Sequence, residues 1–286
     1  MKETSMHTIS IERLAPRHLP EAHALSVAVK WPHRLEDWQF FFALGRGFAA
    51  LKGSELIGTA LWWPFGESSA TLGMVIVASS MQGQGIGRRL MDAALAEAGP
   101  RAVRLNATAD GVPLYEKLGF RPIGKLHQHQ AANPGAKPER LPEGMTLRAL
   151  QPEDLAQVIA LDEQAAGFTR AELLATLVEI GEGLVLERGG RIVAWSIFRR
   201  FGRGFVIGPV CAAEDAAAKA LIAAWIERHP TEFLRIDVPV SSGLSPWLEA
   251  RGLPRVDAVV TMLRGDAAPR PETGPELFAL SSQALG

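Results

Sequence analysis

Met81–Leu90 reads MQGQGIGRRL and follows the apolar, strand-like run Gly73–Ala78, GMVIVA. Glycines at 83, 85 and 87 are costly at an ordinary helix start, because glycine loses the most backbone entropy on folding. A strand, a glycine turn and a helix start together make an anion site. Unpaired N–H groups point outward, the helix dipole favours negative charge, and missing side chains let a phosphate approach. Arg88 and Arg89 in the first turn oppose that dipole unless an anion lies there. The ligand this suggests is a pyrophosphate. The order G-x-G-x-G after a fourth strand is not the Rossmann G-x-G-x-x-G, and the G-K-S/T of a Walker loop is absent. A tight turn without a ligand is the plain alternative.

Working outward, Thr8–Leu14 alternates as a strand, Arg17–Lys30 and Leu35–Leu44 read as helices, and Pro32 separates them. Gly47–Lys52 and Glu55–Pro64 form a hairpin across Gly53-Ser54, and Ser69–Ala78 is a strand running into the glycine loop. Ile86, Leu90, Ala94 and Leu95 recur at helical spacing. Ala102–Ala107 is a strand, Asp110–Leu118 a short helix closed by Gly119, and Phe120–Gln130 a further strand.

The stretch Ala131–Gly144, AANPGAKPERLPEG, has no periodicity and marks a linker at 133–144. The pattern then repeats. Strands are expected at Met145–Leu150, Phe205–Cys211, Phe233–Val238 and Val256–Leu263, with a hairpin over Leu184–Arg199. Helices are expected at Pro152–Gln164, Arg170–Ile180, Asp215–Arg228 and Leu244–Ala250. Leu90 and Leu221, like Val103 and Leu234, stand 131 residues apart, and LYEKLGF at Leu114–Phe120 falls on WLEARGL at Trp247–Leu253. This is one internal duplication. The expected architecture is two tandem layered α/β (α+β) domains, 1–132 and 145–265. Each has a central mixed, mostly antiparallel sheet flanked by helices. A tail at 266–286 carries an apolar end, Leu277–Leu280, expected to dock on a domain.

Hydrophobic residues make up 47% and charged residues 21% of the 286, an ordinary globular mixture, and the net charge of −1 gives no basic field for nucleic acid. One cysteine, Cys211, excludes an internal disulfide framework and suits a reducing compartment. No apolar run reaches a membrane span, and the start of the chain lacks the apolar core of a secretory signal. The expectation is a cytoplasmic protein, monomer or homodimer, without a nucleic-acid or membrane partner.

Gln82-Gly83-Gln84-Gly85-Ile86-Gly87 resembles the Q/R-x-x-G-x-G/A signature of the GNAT superfamily of N-acetyltransferases. Leu114–Phe120 is similar to that family's second motif, so the resemblance covers roughly 8–130. It implies acetyl-CoA as donor, with no metal. The pantetheine arm would pair with backbone groups of Val75, Ile76 and Val77, and the pyrophosphate would rest on Gln82, Gly83, Gln84, Gly85, Ile86, Gly87 and Arg88. Family members often carry Asn seven residues before the motif tyrosine, where this chain has Thr108. That leaves one side-chain contact to the donor open. In the second copy the positions of Gln82, Gly85 and Gly87 fall on Ala213, Ala216 and Ala218, and Tyr115 falls on Leu248. This resembles the degenerate second domain of some tandem GNAT proteins.

Acetyl transfer to an amine needs a neutral amine, a polarised carbonyl, close approach and a protonated leaving thiol. Tyr115 is the only tyrosine, and the resemblance implies a general acid there; a core aromatic is the alternative. The loop Trp31–Trp38 places Trp31, His33, Glu36 and Asp37 where the resemblance implies acceptor binding. Aromatics there hold an amine by cation–π contact and the acids attract it, or the acids merely stabilise a helix start. His127 and His129 share one strand face and read as solvated, or as a base or metal pair. The basic run Arg199–Gly204 reads as a solvated turn, with binding of an anionic partner as the alternative. No nucleophile paired with a histidine is evident, which agrees with direct attack on a small-molecule primary amine. The rival reading is an acyl-CoA-binding sensor or regulatory module without turnover.

Overall fold

The computed structural model describes residues 8–266 and 273–286. The first half runs β1 (Ile9–Arg13), α1 (Leu19–Ala28), α2 (Leu35–Leu44), β2 (Arg46–Lys52), β3 (Glu55–Phe65), β4 (Ser69–Val77), α3 (Ile86–Ala98), β5 (Ala102–Ala107), α4 (Val112–Glu116) and β6 (Arg121–Ala132). The second half follows the same order. It runs β7 (Met145–Ala149), α5 (Leu155–Ala166), α6 (Ala171–Ile180), β8 (Glu182–Arg188), β9 (Arg191–Phe201), β10 (Gly204–Ala212), α7 (Asp215–Arg228), β11 (Phe233–Pro239), α8 (Ser245–Ala250) and β12 (Arg255–Arg264). An added strand, β13 (Glu276–Ala279), comes last. The central strands match in length: β3 and β9 have 11 residues each, β4 and β10 have 9.

Local sequence explains most of these elements. In α3 the buried residues Ile86, Leu90, Met91, Ala94, Leu95 and Ala98 form one stripe at helical spacing, facing the sheet. Pro32 keeps α1 and α2 apart. The helix expected over Arg17–Lys30 is shorter: a 3-10 turn at Pro16–His18 leads into α1, which ends at Ala28.

The sheet order is β1-β2-β3-β4-β5-β12-β6-β11-β10-β9-β8-β7, with β13 attached to β10. Each half therefore places its last strand in the other half's sheet. β12 lies against β5 through Val260↔Ala107, and β6 lies against β11 through Gln128↔Asp237. The two exchanged strands also pair with each other, antiparallel, through Ala258↔His127. The exchange covers the open edges of β5 and β11, which would otherwise expose unpaired ladder groups. Only β4–β5 and β10–β11 are parallel. The connection between the halves lies on α8: Lys137 Nζ donates to Ala250 O at 2.7 Å, and the Glu139 carboxylate accepts from Trp247 Nε1 and from Arg251.

The helical layers of both halves meet in one apolar core. Trp38, Phe41 and Trp63 from the first half join Trp195, Ile197 and Phe201 from the second. Beside it, Arg170 and Asp162 form a fully buried bidentate pair at 2.7 and 2.9 Å. Removing one partner of such a pair strands a charge away from water. Asp162→Asn is expected to lower unfolding stability by about 3–5 kcal/mol, read by urea denaturation. A loss below about 1 kcal/mol would mean that Arg170 finds water when its partner is gone.

Among the described residues no helix is long and apolar enough to cross a membrane.

Candidate active site

The glycine turn departs from ordinary backbone at two places. Gly83 and Gly85 have φ of +76° and +74°, in the left-handed region, and open space lies where a Cβ would stand on either. Side chains there would be strained and would cover the N–H groups of the turn. Gly85 caps α3 without a side-chain hydrogen bond, and no acidic residue occupies the helix's first turn. No side chain among the described residues caps the donors at this helix start. Gln82 turns back, its Nε2 donating to Val77 O at 3.3 Å. Gln84 Nε2 lies 3.9 Å from the sulfur of Met81, and Ile86 is buried under the turn. The arginines are partly engaged elsewhere: Arg88 pairs with Asp92 at 3.0 Å, and Arg89 donates to Ile9 O at 2.9 Å.

Upstream, the parallel pair β4–β5 ends at Thr71↔Arg104. From Leu72 to Val77, β4 has no strand partner on that side among the described residues, so the backbone of Val75, Ile76 and Val77 borders a gap leading to the glycine turn. Met74 has a φ of +52°, the β3–β4 register shifts nearby, and Thr59 Oγ1 ties Met74 O at 2.8 Å. Such a bulge re-aims a strand beside a site.

The gap opens into a cavity of about 210 Å³. Tyr115 and Thr108 line one side of it. The Thr108 carbonyl accepts from Gly111 N and Val112 N, which starts the turn into α4 and aims Tyr115 inward. Tyr115 is buried, packs edge-on against Phe120, and its hydroxyl has no protein partner among the described residues. Burial pushes its pKa up to about 12, so it keeps its proton at any physiological pH.

Trp31 and His33 also line it, with Phe41 and Phe201. His33 touches three rings, at 5.8 Å (Trp31), 5.7 Å (Phe41) and 5.5 Å (Phe201). Burial first, and then the charge of Arg235, lower its pKa to about 3, so the imidazole is neutral. Its Nδ1 is buried without a partner.

Glu36 and Asp37 do not line this cavity. Glu36 faces solvent. Asp37 is buried and accepts from Arg34 Nη2 at 2.7 Å, Arg34 N at 2.8 Å and Gly202 N at 2.9 Å, clamping the second half against α2. Burial opposes its charge, but these hydrogen bonds outweigh it and hold the carboxyl below its ordinary range.

Two further sequence expectations are corrected. Arg199 is not in a solvated turn: it is buried between the Phe40 and Phe201 rings, at 4.9 and 4.8 Å, and donates to Ser281 O. Burial pulls its pKa down to about 10. His129 is likewise fully buried: its Nδ1 lies 2.8 Å from Leu253 O, and its Nε2 lies 3.0 Å from Ser245 Oγ. His127 Nδ1 lies 2.7 Å from the same hydroxyl. The two histidines fasten α8 to β6, away from the cavity. Among the described residues no group of three or more His, Cys, Asp or Glu could hold a metal ion.

Sequence reasoning missed the wall that the second half contributes, namely Phe201, Arg203, Arg235 and Gln283. Gln283 Nε2 donates to Asp237 Oδ1 at 2.9 Å and Gln128 Oε1 at 3.2 Å, and its carbonyl accepts from Asn106 Nδ2 at 2.8 Å. No local pattern marks Arg235 and Gln283, and Phe201 and Arg203 fall in the run read as a solvated turn, because these residues meet the first half only across the exchanged strands.

The corresponding gap of the second half, between β10 and β11, is filled. The parallel pairing stops at Val206↔Arg235, and β13 then pairs with β10 through Val210↔Ala279 and Cys211↔Leu277. Leu280 N donates to Asp237 O at 2.9 Å.

The acetyltransferase (GNAT) domain family matches the chain twice, at residues 43–122 and 158–279. The uncharacterized N-acetyltransferase YitH of Bacillus subtilis (strain 168) is 28% identical over 282 residues, 96% of this chain and 97% of that protein. A Pyrococcus horikoshii protein of known crystal structure superposes with a TM-score of 0.79 at 18% identity, covering 100% of this chain and 99% of its own. A tandem GNAT protein from the clavulanic acid biosynthesis pathway superposes with a TM-score of 0.64 at 12% identity, covering 93% and 100%. The chain belongs to the GNAT acetyltransferases, carries two such domains in tandem and is an acyltransferase.

Proposed function

We propose that the first lobe moves an acetyl group from acetyl-CoA to the primary amine of a small molecule by direct attack. The observation that carries this reading is the opening of β4 from β5 beyond Thr71–Arg104. It joins the glycine turn at one end to Tyr115 and the aromatic cavity at the other. The residues fit the donor: Gly83 and Gly85 leave the N–H cradle bare for a pyrophosphate, and the unpaired edge at Val75–Val77 suits an extended arm with its own amides. Acetyl-CoA supplies an activated acyl thioester. The amine nitrogen bonds to the carbonyl carbon, the carbon–sulfur bond breaks, and the products are an amide and free CoA thiol.

The chain's own groups serve each step. Backbone N–H groups near Val75 polarise the carbonyl. Tyr115 hands its proton to the departing sulfur, and the nitrogen's released proton restores the balance through water. Trp31 and Phe41 face the acceptor, and neutral His33 offers it a hydrogen bond without adding charge. The small volume, walled by both lobes, favours a small molecule over a protein tail. The filled β10–β11 gap argues for one donor site per chain and for a second lobe that shapes the acceptor cavity. The loaded Tyr115 hydroxyl facing that cavity favours turnover over acyl-CoA sensing. The single buried cysteine suits a cytoplasmic setting.

Calorimetric titration with acetyl-CoA is expected to give one site per chain. Free thiol should then appear with at least one member of a panel of polyamines, amino acids, aminoglycosides and peptides. Binding without release across the panel would leave the sensor, and no binding would remove the donor.

The pH dependence adds a check. His33 is uncharged above about pH 3, so it contributes no limb near pH 6.5. kcat/KM is expected to rise with pH between about pH 5 and 9, following loss of the acceptor's ammonium proton alone. A separate limb near pH 6.5 that disappears in His33→Gln would make His33 a titrating base.

A further inference from the structure

A second cavity, of about 570 Å³, lies between the α5–α6 junction and strands β5, β12 and β6. That is well within the size of small-molecule sites. The internal duplication explains its place. Arg104 on this cavity and Arg235 on the cavity beside Tyr115 stand 131 residues apart, the spacing of Leu90 and Leu221. Phe168 and Arg170 reach it from the α5–α6 junction, as Trp31 and His33 reach the first cavity from the α1–α2 junction. The donor side differs: β13 and Leu280 fill the strand gap through which a thioester would arrive. The duplication thus leaves an acceptor-type cavity without a donor.

Its lining defines the ligand. Charge is balanced: Arg170 pairs with Asp162, Arg104 is engaged over the Phe168 ring at 5.7 Å and elsewhere, and Lys125 and Glu276 offset each other. A charged ligand would leave water here without gaining a spare counter-charge. Apolar surface is left open instead. Ile123 and Val240, at 45% and 43%, are among the few exposed large apolar side chains of the described residues, and both lie on this cavity. Leu126 and Leu280 line it too, and with Val259 they form a small apolar cluster apart from the larger cores. One polar group is unmet. Thr71 lines the cavity, is only 4% exposed, and its Oγ1 has no hydrogen-bond partner among the described residues. An orphaned buried hydroxyl is costly unless something fills its place.

We propose that this cavity is a non-catalytic binding site for an uncharged small molecule with an apolar body and one hydroxyl or carbonyl oxygen. The body covers Leu126, Leu280, Ile123 and Val240, and the oxygen pairs with the Thr71 hydroxyl. The site requires neither the donor nor the acceptor proposed above.

N-Phenyl-1-naphthylamine, an uncharged apolar probe, tests it by fluorescence titration of the full chain. One saturable site per chain is expected. Val240→Trp should abolish it by filling the mouth, whereas Arg203→Trp, at the cavity beside Tyr115, should leave it unchanged. Both positions are on the surface, so the fold is retained, which circular dichroism checks. Phenylbutanol should displace the probe at concentrations roughly tenfold below those needed of phenylbutyrate or phenylbutylamine, because each of these must bury an unpaired charge. Thr71→Val keeps the side chain's shape and loses no hydrogen bond, so unfolding stability should not fall, while displacement by phenylbutanol should weaken roughly threefold to tenfold. Absence of saturable binding overturns the proposal. So does loss of binding in Arg203→Trp but not in Val240→Trp, equal displacement by either charged analogue, or a Thr71→Val protein that binds phenylbutanol as before.

Discussion

Tyr115→Phe is expected to lower kcat by roughly 10²- to 10³-fold while changing the acetyl-CoA dissociation constant less than about twofold. The substitution removes one oxygen and its proton. Tyr115 is buried, its hydroxyl has no partner among the described residues, and its aromatic ring packs against Phe120. Phenylalanine keeps that packing and strands no donor or acceptor, so stability should hold within about 1 kcal/mol. What disappears is a group that, with a pKa near 12, keeps its proton at physiological pH and so fits the proposed acid for the leaving sulfur. Turnover by free-thiol release, with donor affinity by calorimetry, separates the outcomes. A parallel loss of affinity would make the tyrosine part of the donor's seat. An unchanged kcat would show that water protonates the thiolate unaided.

Gly85→Val is expected to weaken acetyl-CoA binding by at least about 100-fold. Gly85 has a φ of +74°, a conformation a β-branched residue enters only with strain. Open space above the position means that no protein atom clashes with the new side chain. The methyl groups instead occupy the place where the pyrophosphate would meet the N–H groups at the start of α3. Gly85→Ala should show a smaller loss, because it brings one methyl and less strain. Calorimetry measures both, and circular dichroism checks that α3 persists through its buried stripe of Leu90, Ala94 and Leu95. Unchanged affinity in a folded Gly85→Val protein would remove the turn from the donor site. The second half offers a natural comparison: Ala213, Ala216 and Ala218 stand at the positions of Gln82, Gly85 and Gly87, and the neighbouring strand gap is filled by β13.

Particular residues show how far the sequence could be read. The glycines at 83 and 85 were legible because positive φ is a local demand that few other residues meet. The stripe on α3 and the break at Pro32 were legible for the same reason, since their physics lies within a few residues. Asp37 was not: an acid in the first turn of a helix looks the same whether it faces solvent, a substrate or the amide of Gly202, 165 residues away. Arg199 looked like part of a charged turn because its hydrogen-bond acceptor, Ser281 O, lies 82 residues further on. His127 and His129 alternate correctly on β6, yet alternation does not say which face is covered, and α8 covers theirs.

The sequence by itself determined the order of the elements before β13, their duplication, the glycine turn and the loss of that turn in the second copy. All of these follow from backbone preference and apolar spacing over short windows. Only the tertiary structure decided that β6 and β12 change places, that Glu276–Leu280 closes the second strand gap, and that Phe201, Arg235 and Gln283 wall the cavity beside Tyr115. The reason is physical. A strand's pattern specifies which of its faces is apolar, whereas its neighbour is selected by the competition of all open edges for partners. That competition is settled by contacts between residues more than a hundred positions apart.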